Sequence, residues 1–379
     1  MAKKESIIKT KRKNPYADRI DRGILLLFAS VMAWYYYSTP ALLRIAVGCL
    51  TAVLAGLLAS LLLKLIFKGR FTFDIFFVSG AGVCAALLMP ATVSLPVLIV
   101  LTAVSVLAAL LCPPVIFKNT LDRTAYRFSA AAVTAAFTGI LPFVVGNPPV
   151  PKALVGAASP TITAPILQLL TARNGADLQT LGMANILTGN VAGPMGATCF
   201  VLMLASFVYI VIRKPKNAVM PLAYVLTIAV CAIFFPRAGL SAGYSLLCEL
   251  AGGFALFTAV FILSEDRLQT KNIVTAALLG VAGGLVTMLM RYILPNTEPA
   301  GCAALMISII VLAIRRSDYG KKPDKNVRGK RTFRMNNTQE DPDKSYMDSV
   351  AGQQTYTYQD AAPTFRRTGG EATEKSDES

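Results

Sequence analysis

The chain has 379 residues, 54% of them hydrophobic, a mean hydropathy of +0.55 and a formal net charge of +16. Charges are sparse between Gly23 and Ile314 and gather in the N-terminal stretch, the short loops and the tail, which excludes an ordinary soluble fold with a polar surface. The positive balance reads as the Lys/Arg excess of cytoplasmic membrane loops and not as a nucleic-acid surface, so no nucleic-acid partner is expected.

The 1–22 stretch is a basic cytosolic N-terminus. It runs into a full span without a small-residue cleavage pattern, so no cleavable signal peptide is expected. A spanning helix needs about 20 mostly apolar residues. Candidates follow at Gly23–Tyr37, Leu43–Leu63, Ile75–Ala91, Leu95–Cys112, Phe128–Val145, Gly196–Ile212, Ala218–Phe235, Leu246–Leu263, Ile273–Leu289 and Ala300–Ile314. The loop charges test this division. With the N-terminus inside, the inside loops hold Lys64, Lys68 and Arg70, then Lys118, Arg123 and Arg127, then Arg213, Lys214 and Lys216, then Arg267 and Lys271, and last Arg315 and Arg316. The opposite loops hold little beyond Arg44, Lys152, Arg173, Arg237 and Arg291. The alternation persists along the whole chain and predicts an all-α polytopic membrane protein of about ten spans, with both termini cytoplasmic.

An even split gives a first membrane half over 23–145, an extracytoplasmic loop over 146–194, a second half over 195–314 and a tail over 315–379. An odd number of spans per half inverts the second relative to the first. Ser79-Gly-Ala-Gly-Val in the third span has a Gly-rich counterpart, Ala251-Gly-Gly-Phe, in the eighth. An inverted repeat and plain close packing of small residues both account for this echo. The tail is rich in Lys, Asp, Glu, Ser, Thr and Gln and is expected to be disordered.

The chain has no His, which removes imidazole ligation and imidazole acid–base chemistry. Its seven Cys form no CxxC pair and mostly lie in apolar runs, where buried thiols are expected. Chemistry is sought instead in the 146–194 loop, which mixes apolar residues with hydroxyls and glycines. Ser159, Thr161 and Thr163 precede Pro165 and a short interfacial helix over Ile166–Thr171. Helix capping is one reading of these hydroxyls, and a modifiable hydroxyl at the membrane surface is the other. The run holding Gly189, Asn190, Gly193 and Gly196 feeds a span directly. Gly-rich turns at a helix N-terminus suit a phosphate, and small residues also serve packing. Ionisable residues near the spans are Asp74, Asp122, Glu249, Glu265 and Asp266, read either as parts of a cation path or as interfacial salt bridges.

The order of these segments resembles the RnfD/NqrB family, whose members are membrane subunits of the Rnf electron-transport complexes and of the sodium-pumping NADH:quinone oxidoreductase. The resemblance covers about Arg19 to Ile314. It is carried by Phe73-Asp-Ile-Phe-Phe-Val-Ser-Gly-Ala-Gly with Ala85-Ala-Leu-Leu-Met-Pro, by Phe117-Lys-Asn119-Thr-Leu-Asp-Arg-Thr-Ala, by Gly189-Asn through Gly196-Ala-Thr, and by Met290-Arg-Tyr-Ile with Glu298-Pro-Ala-Gly-Cys-Ala. It implies ten helices in two inverted five-helix repeats, multi-pass in a bacterial cell (inner) membrane. It implies FMN, or riboflavin, as cofactor, with FMN joined through its phosphate to Thr161, which matches the flavin-bearing Thr of the family's Ser-Gly-Ala-Thr motif. Thr163 is the second acceptor, and Ser159, Gly189, Asn190, Gly193, Gly196 and Asn119 complete the expected cofactor-binding set. The chain departs from the family pattern at Val155, where an acidic residue guides the flavin transferase, and at Ala158, Ser159, Pro160 and Ala197. Other Rnf-type membrane subunits, a flavin transferase, the lipid bilayer and Na⁺ or H⁺ are the implied partners. The expected function is a redox subunit relaying electrons on the extracytoplasmic side. A solute transporter or channel of the same architecture and a flavin-free scaffold subunit are the alternatives.

Overall fold

A computed structural model of the chain describes residues 15–67, 74–116, 129–140, 165–173, 175–270, 272–294 and 298–320. The described residues are helical throughout, without a strand. The first five helices are α1 (Pro15–Tyr37), α2 (Thr39–Phe67), α3 (Ile75–Leu88), α4 (Leu95–Ile116) and α5 (Ala130–Ile140). Three short helices follow: α6 (Ile166–Thr171), α7 (Gly175–Leu181) and α8 (Met183–Thr188). Then come α9 (Phe200–Arg213), α10 (Pro215–Phe234), α11 (Ala242–Ala251), α12 (Ala255–Leu263), α13 (Ile273–Ile293) and α14 (Ala300–Gly320).

Every apolar segment singled out in the sequence thus contains a helix where it is described. Among the described residues, four helices are long and apolar enough to cross a membrane, within α2, α4, α10 and α13. The α11–α12 pair, bent by 62°, makes a fifth if counted as one span. The remaining apolar helices, α3, α5, α9 and most of α14, are shorter. At 1.5 Å per residue, a helix of α3's length covers about 21 Å of a hydrocarbon layer about 30 Å thick. Non-helical backbone at that depth is tolerated only where protein buries it. This is the condition met at the α3 and α11–α12 breaks described below.

Close approach of helices rests on small residues. A Cβ on Gly82 of α3 would meet the Gly48 carbonyl of α2 at 2.5 Å and Ala52 at 2.6 Å. On α13, a Cβ on Gly284 would meet Thr227 of α10 at 2.7 Å, and one on Gly280 would fall on the Met220 carbonyl. With hydrocarbon on both sides, such contact replaces the hydrophobic drive that holds helices together in water. The main core gathers buried residues of α1, α3, α5, α9, α10, α12, α13 and α14, while α2 and α4 turn many large apolar side chains outward. A separate small core joins α6, α7 and α8 to α11 through Ile166, Leu170, Leu178, Ile186, Leu247 and Cys248.

Two antiparallel pairs fix the direction of the halves. Tyr209 and Arg213 of α9 bond Asp21 near the start of α1, whereas Tyr36 at the end of α1 donates to the Thr188 carbonyl ahead of α9. The Ser129 amide at the start of α5 meets Ser308 within α14, whereas Gly139 at the end of α5 accepts from the Glu298 amide ahead of α14. The first and last helices of one half therefore run against their counterparts in the other, as an inverted arrangement requires.

Polar groups collect at two opposite ends. At one, Arg22 donates to the Phe261 carbonyl and lies 3.7 Å from Glu265, Asn217 bonds Asp266, and Arg315 donates to the Asp266 and Gln269 carbonyls. The Phe261 carbonyl belongs to a π-helical stretch, Thr258–Leu263, buried at every residue. The other end holds Arg44, Arg237, Glu249, Arg291 and Glu298. These two sets are the two sides assigned by the alternation of loop charges.

Candidate functional site

The Arg291 end is where short helices, turns and helix breaks converge. The Gly-rich run lies here. Gly189 adopts φ +90, and its amide and that of Asn190 both donate to the Asn185 carbonyl at 3.0 and 2.9 Å. Met195 donates to the Met89 carbonyl at 3.2 Å, and Gly196 to the Leu87 carbonyl at 2.8 Å. The turn thereby caps the C-terminal carbonyls of α3, which an early-ending helix leaves without partners. A Cβ on Gly196 would meet Leu87 at 2.6 Å, and one on Gly193 would meet Thr198 at 2.9 Å. The amides of Gly189, Asn190 and Gly196 are thus directed at protein carbonyls. The Asn190 side-chain amide donates to Asn185 Oδ1 at 3.3 Å, and its own buried Oδ1 has no hydrogen-bond partner.

Ser159, Thr161, Thr163 and Asn119 lie outside the described residues. The described chain resumes at Pro165, four residues on from Thr161. From there α6 sets Ile166 against Gly252, a Cβ on which would stand 3.4 Å from the Ile166 side chain. Tyr244 of α11 donates to the Leu178 carbonyl at 2.6 Å and ties α7 to the same helix. The segment that follows the hydroxyl cluster is therefore anchored on the break between α11 and α12.

That break is built around charge. α11 ends at Ala251 and α12 begins at Ala255, leaving carbonyls exposed between them. Arg291, whose side chain is 0% exposed, reaches in from α13. Its Nη1 donates to the Glu249 carbonyl at 2.7 Å and to Glu249 Oε2 at 3.0 Å. Its Nη2 donates to the Gly252 carbonyl at 3.1 Å and to Glu298 Oε1 and Oε2 at 2.9 and 2.8 Å. Arg237 completes the network: Nε donates to Glu249 Oε1 at 2.6 Å, Nη1 donates to the Arg291 carbonyl at 3.0 Å, and the guanidinium lies 5.1 Å from the centre of the Tyr292 ring. Gly253, at φ +68, passes so close to Glu298 that a Cβ would fall on its Oε2. Two cations and two carboxylates make the cluster neutral. Buried charges in hydrocarbon demand that pairing.

Of the acidic residues singled out in the sequence, Glu249 and Glu265 take the salt-bridge reading, while Asp266 and Asp74 are held by hydrogen bonds. Glu249 pairs with both arginines, Glu265 faces Arg22, Asp266 accepts from Asn217, and Asp74 caps α3 by accepting from the Phe77 amide at 3.3 Å. Asp122 lies outside the described residues. The pairing of Arg291 with Glu249 and Glu298 was not read from the sequence. The signal was there: Arg237, Glu249, Arg291 and Glu298 all fall on the side where the charge rule expects few charges.

A family model described as NQR2, RnfD, RnfE matches residues 18–318. The chain belongs to this family. The match takes in both membrane halves, the Gly-rich turn, the helix break and the hydroxyl cluster. It agrees with the resemblance read from the sequence. Members of the NQR2, RnfD, RnfE family are membrane subunits of Rnf/Nqr-type complexes, and this chain is such a multi-pass subunit. No curated protein matches the chain.

Proposed function

We propose that the chain is a flavin-bearing electron-relay subunit of an Rnf-type ion-translocating complex, with FMN esterified to Thr161 on the extracytoplasmic side. The observation that carries this reading is the anchoring of the segment after Thr161. Four residues reach at most about 14 Å, so a group on Thr161 stays tethered near the helix break and the Gly-rich turn. A relay needs its cofactor held at a fixed distance from donor and acceptor, and α6–α8 packed on α11 provide a rigid mount. Of the expected binding set, Asn190 faces this region with an unpartnered buried oxygen, suited to a donor on the cofactor. The redox chemistry belongs to the flavin when it is bound. The protein contributes attachment, orientation and the surrounding charge. Electrons pass to and from other membrane subunits, with Na⁺ or H⁺ as the coupled ion, and a flavin transferase installs the group. Thr163 is the fallback acceptor, riboflavin the alternative cofactor, and Ser159, Gly189, Gly193, Gly196 and Asn119 complete the proposed binding set.

The test is flavin fluorescence of the denatured, gel-separated chain co-expressed with a flavin transferase, together with the intact mass. A fluorescent band that disappears in Thr161→Ala, with loss of one FMN in mass, is the expected result. A band retained in Thr161→Ala and lost in Thr163→Ala moves the attachment. No band and an unmodified mass refute covalent flavin. The departures at Val155, Ala158, Ser159 and Pro160 then favour the second reading, a flavin-free scaffold subunit.

A further inference from the structure

The broken helix in membrane proteins commonly turns free carbonyls toward an ion. In this chain the carbonyls of Glu249 and Gly252, one Glu249 carboxylate oxygen and both Glu298 carboxylate oxygens converge on a single group, all within 3.1 Å of a donor nitrogen. Five oxygens from the last turn of α11, its C-cap Gly252 and the lead-in to α14 are the ligand set of a hard cation. The group they surround is the guanidinium of Arg291, whose two terminal nitrogens make all five bonds. We propose that the α11–α12 break is a cation site filled permanently by the chain's own Arg291, so that this end of the second half takes up no mobile ion.

Three observations converge on this. The site is shaped around its ligands: Gly253 carries no side chain where one would displace the Glu298 carboxylate. The cation is built in: α13 delivers Arg291 fully buried, and Arg237 holds its backbone carbonyl from the far side. The charges balance only with Arg291 present. Without it, Glu249 and Glu298 face Arg237 alone and the cluster is left one charge negative, which a monovalent cation restores. The other polar groups nearby, the Tyr224 and Thr287 hydroxyls at 3.1 Å from each other, are uncharged and do not alter that balance.

The experiment uses the full-length chain purified in detergent, with sodium or choline as the sole monovalent cation. Thermal unfolding of the wild type is expected at the same midpoint in both. Arg291→Met is expected to unfold at a lower midpoint in choline and to regain part of the loss in sodium, saturably with concentration. Arg291→Met with Glu298→Gln restores neutrality and is expected to lose the sodium response. A sodium response of the wild type equal to that of Arg291→Met overturns the proposal, as does Arg291→Met without any response. Where Arg291→Met cannot be recovered, Arg291→Gln replaces it, and loss of both in sodium and in choline alike also overturns the proposal. The readout does not involve flavin, so its outcome is separate from that of the Thr161 experiment.

Discussion

Gly253→Ala and Gly239→Ala form a matched pair that isolates the Arg291 network. Both glycines sit in the left-handed region, at φ +68 and φ +65. A Cβ on Gly239 would find nothing within 4 Å, whereas a Cβ on Gly253 would land where Glu298 sits. Each alanine carries left-handed strain of about 1–2 kcal/mol. Only at Gly253 must a carboxylate also leave the guanidinium, and breaking a buried ion pair costs about 3–5 kcal/mol. The expected loss is therefore about 4–7 kcal/mol for Gly253→Ala and about 1–2 kcal/mol for Gly239→Ala. Unfolding in mixed SDS micelles, followed by circular dichroism on the two purified variants, measures the difference directly. Equal losses would refute the reasoning, because they would mean that Glu298 swings aside without weakening its hold on Arg291.

Tyr36→Phe removes the 2.5 Å bond from α1 to the Thr188 carbonyl and should cost about 1 kcal/mol. Faster protease nicking in the 188–199 turn is its specific readout, and an unchanged nicking rate would show that the turn is held from α3 alone. Orientation is tested by a reporter Cys at Lys152 and another at Ser376. The first should react with an impermeant maleimide on intact cells and the second only after lysis, and the reverse pattern would invert the topology.

The overall plan was legible because hydrophobic length and loop charge act independently and agree. Leu43–Leu63, Leu95–Cys112, Ala218–Phe235 and Ile273–Leu289 all lie almost wholly within long helices. The breaks were not legible. Leu246–Leu263 is apolar throughout apart from Glu249 and Thr258, and only the Gly252–Gly253 pair hints that the helix stops. That stop depends on Arg291, about forty residues on, reaching carbonyls that the helix would otherwise use itself. Gly196–Ile212 likewise begins helical only at Phe200, because Gly196 donates its amide to α3 rather than to a turn of its own. At Gly189, Asn190 and Gly196 the sequence left phosphate binding and packing open, and a donor's partner is a tertiary fact. Thr161, Thr163, Ser159 and Asn119 lie outside the described residues, so their roles rest on the family pattern.

The helices of 23–145 and those of 195–314 differ in what they bury. Among the described residues, the first half buries hydroxyls: Thr102 and Ser105 on α4, Ser129 just ahead of α5, and Thr134 and Thr138 on α5. The second half buries hydroxyls as well, on Thr198, Ser206, Ser245, Thr258, Thr287 and Ser308, and adds Glu249, Arg291 and Glu298 at one end and Glu265 at the other. A hydroxyl costs little to bury and can rotate to serve more than one partner. A paired guanidinium is fixed by every bond it makes, and removing any partner leaves a charge in hydrocarbon. A cation approaching the α11–α12 break meets a fixed positive group at the centre of a neutral cluster and gains nothing by entering. The break therefore works as a rigid mount for α6. Any movement of ions through this subunit has to be sought where the buried polar groups are still free to turn.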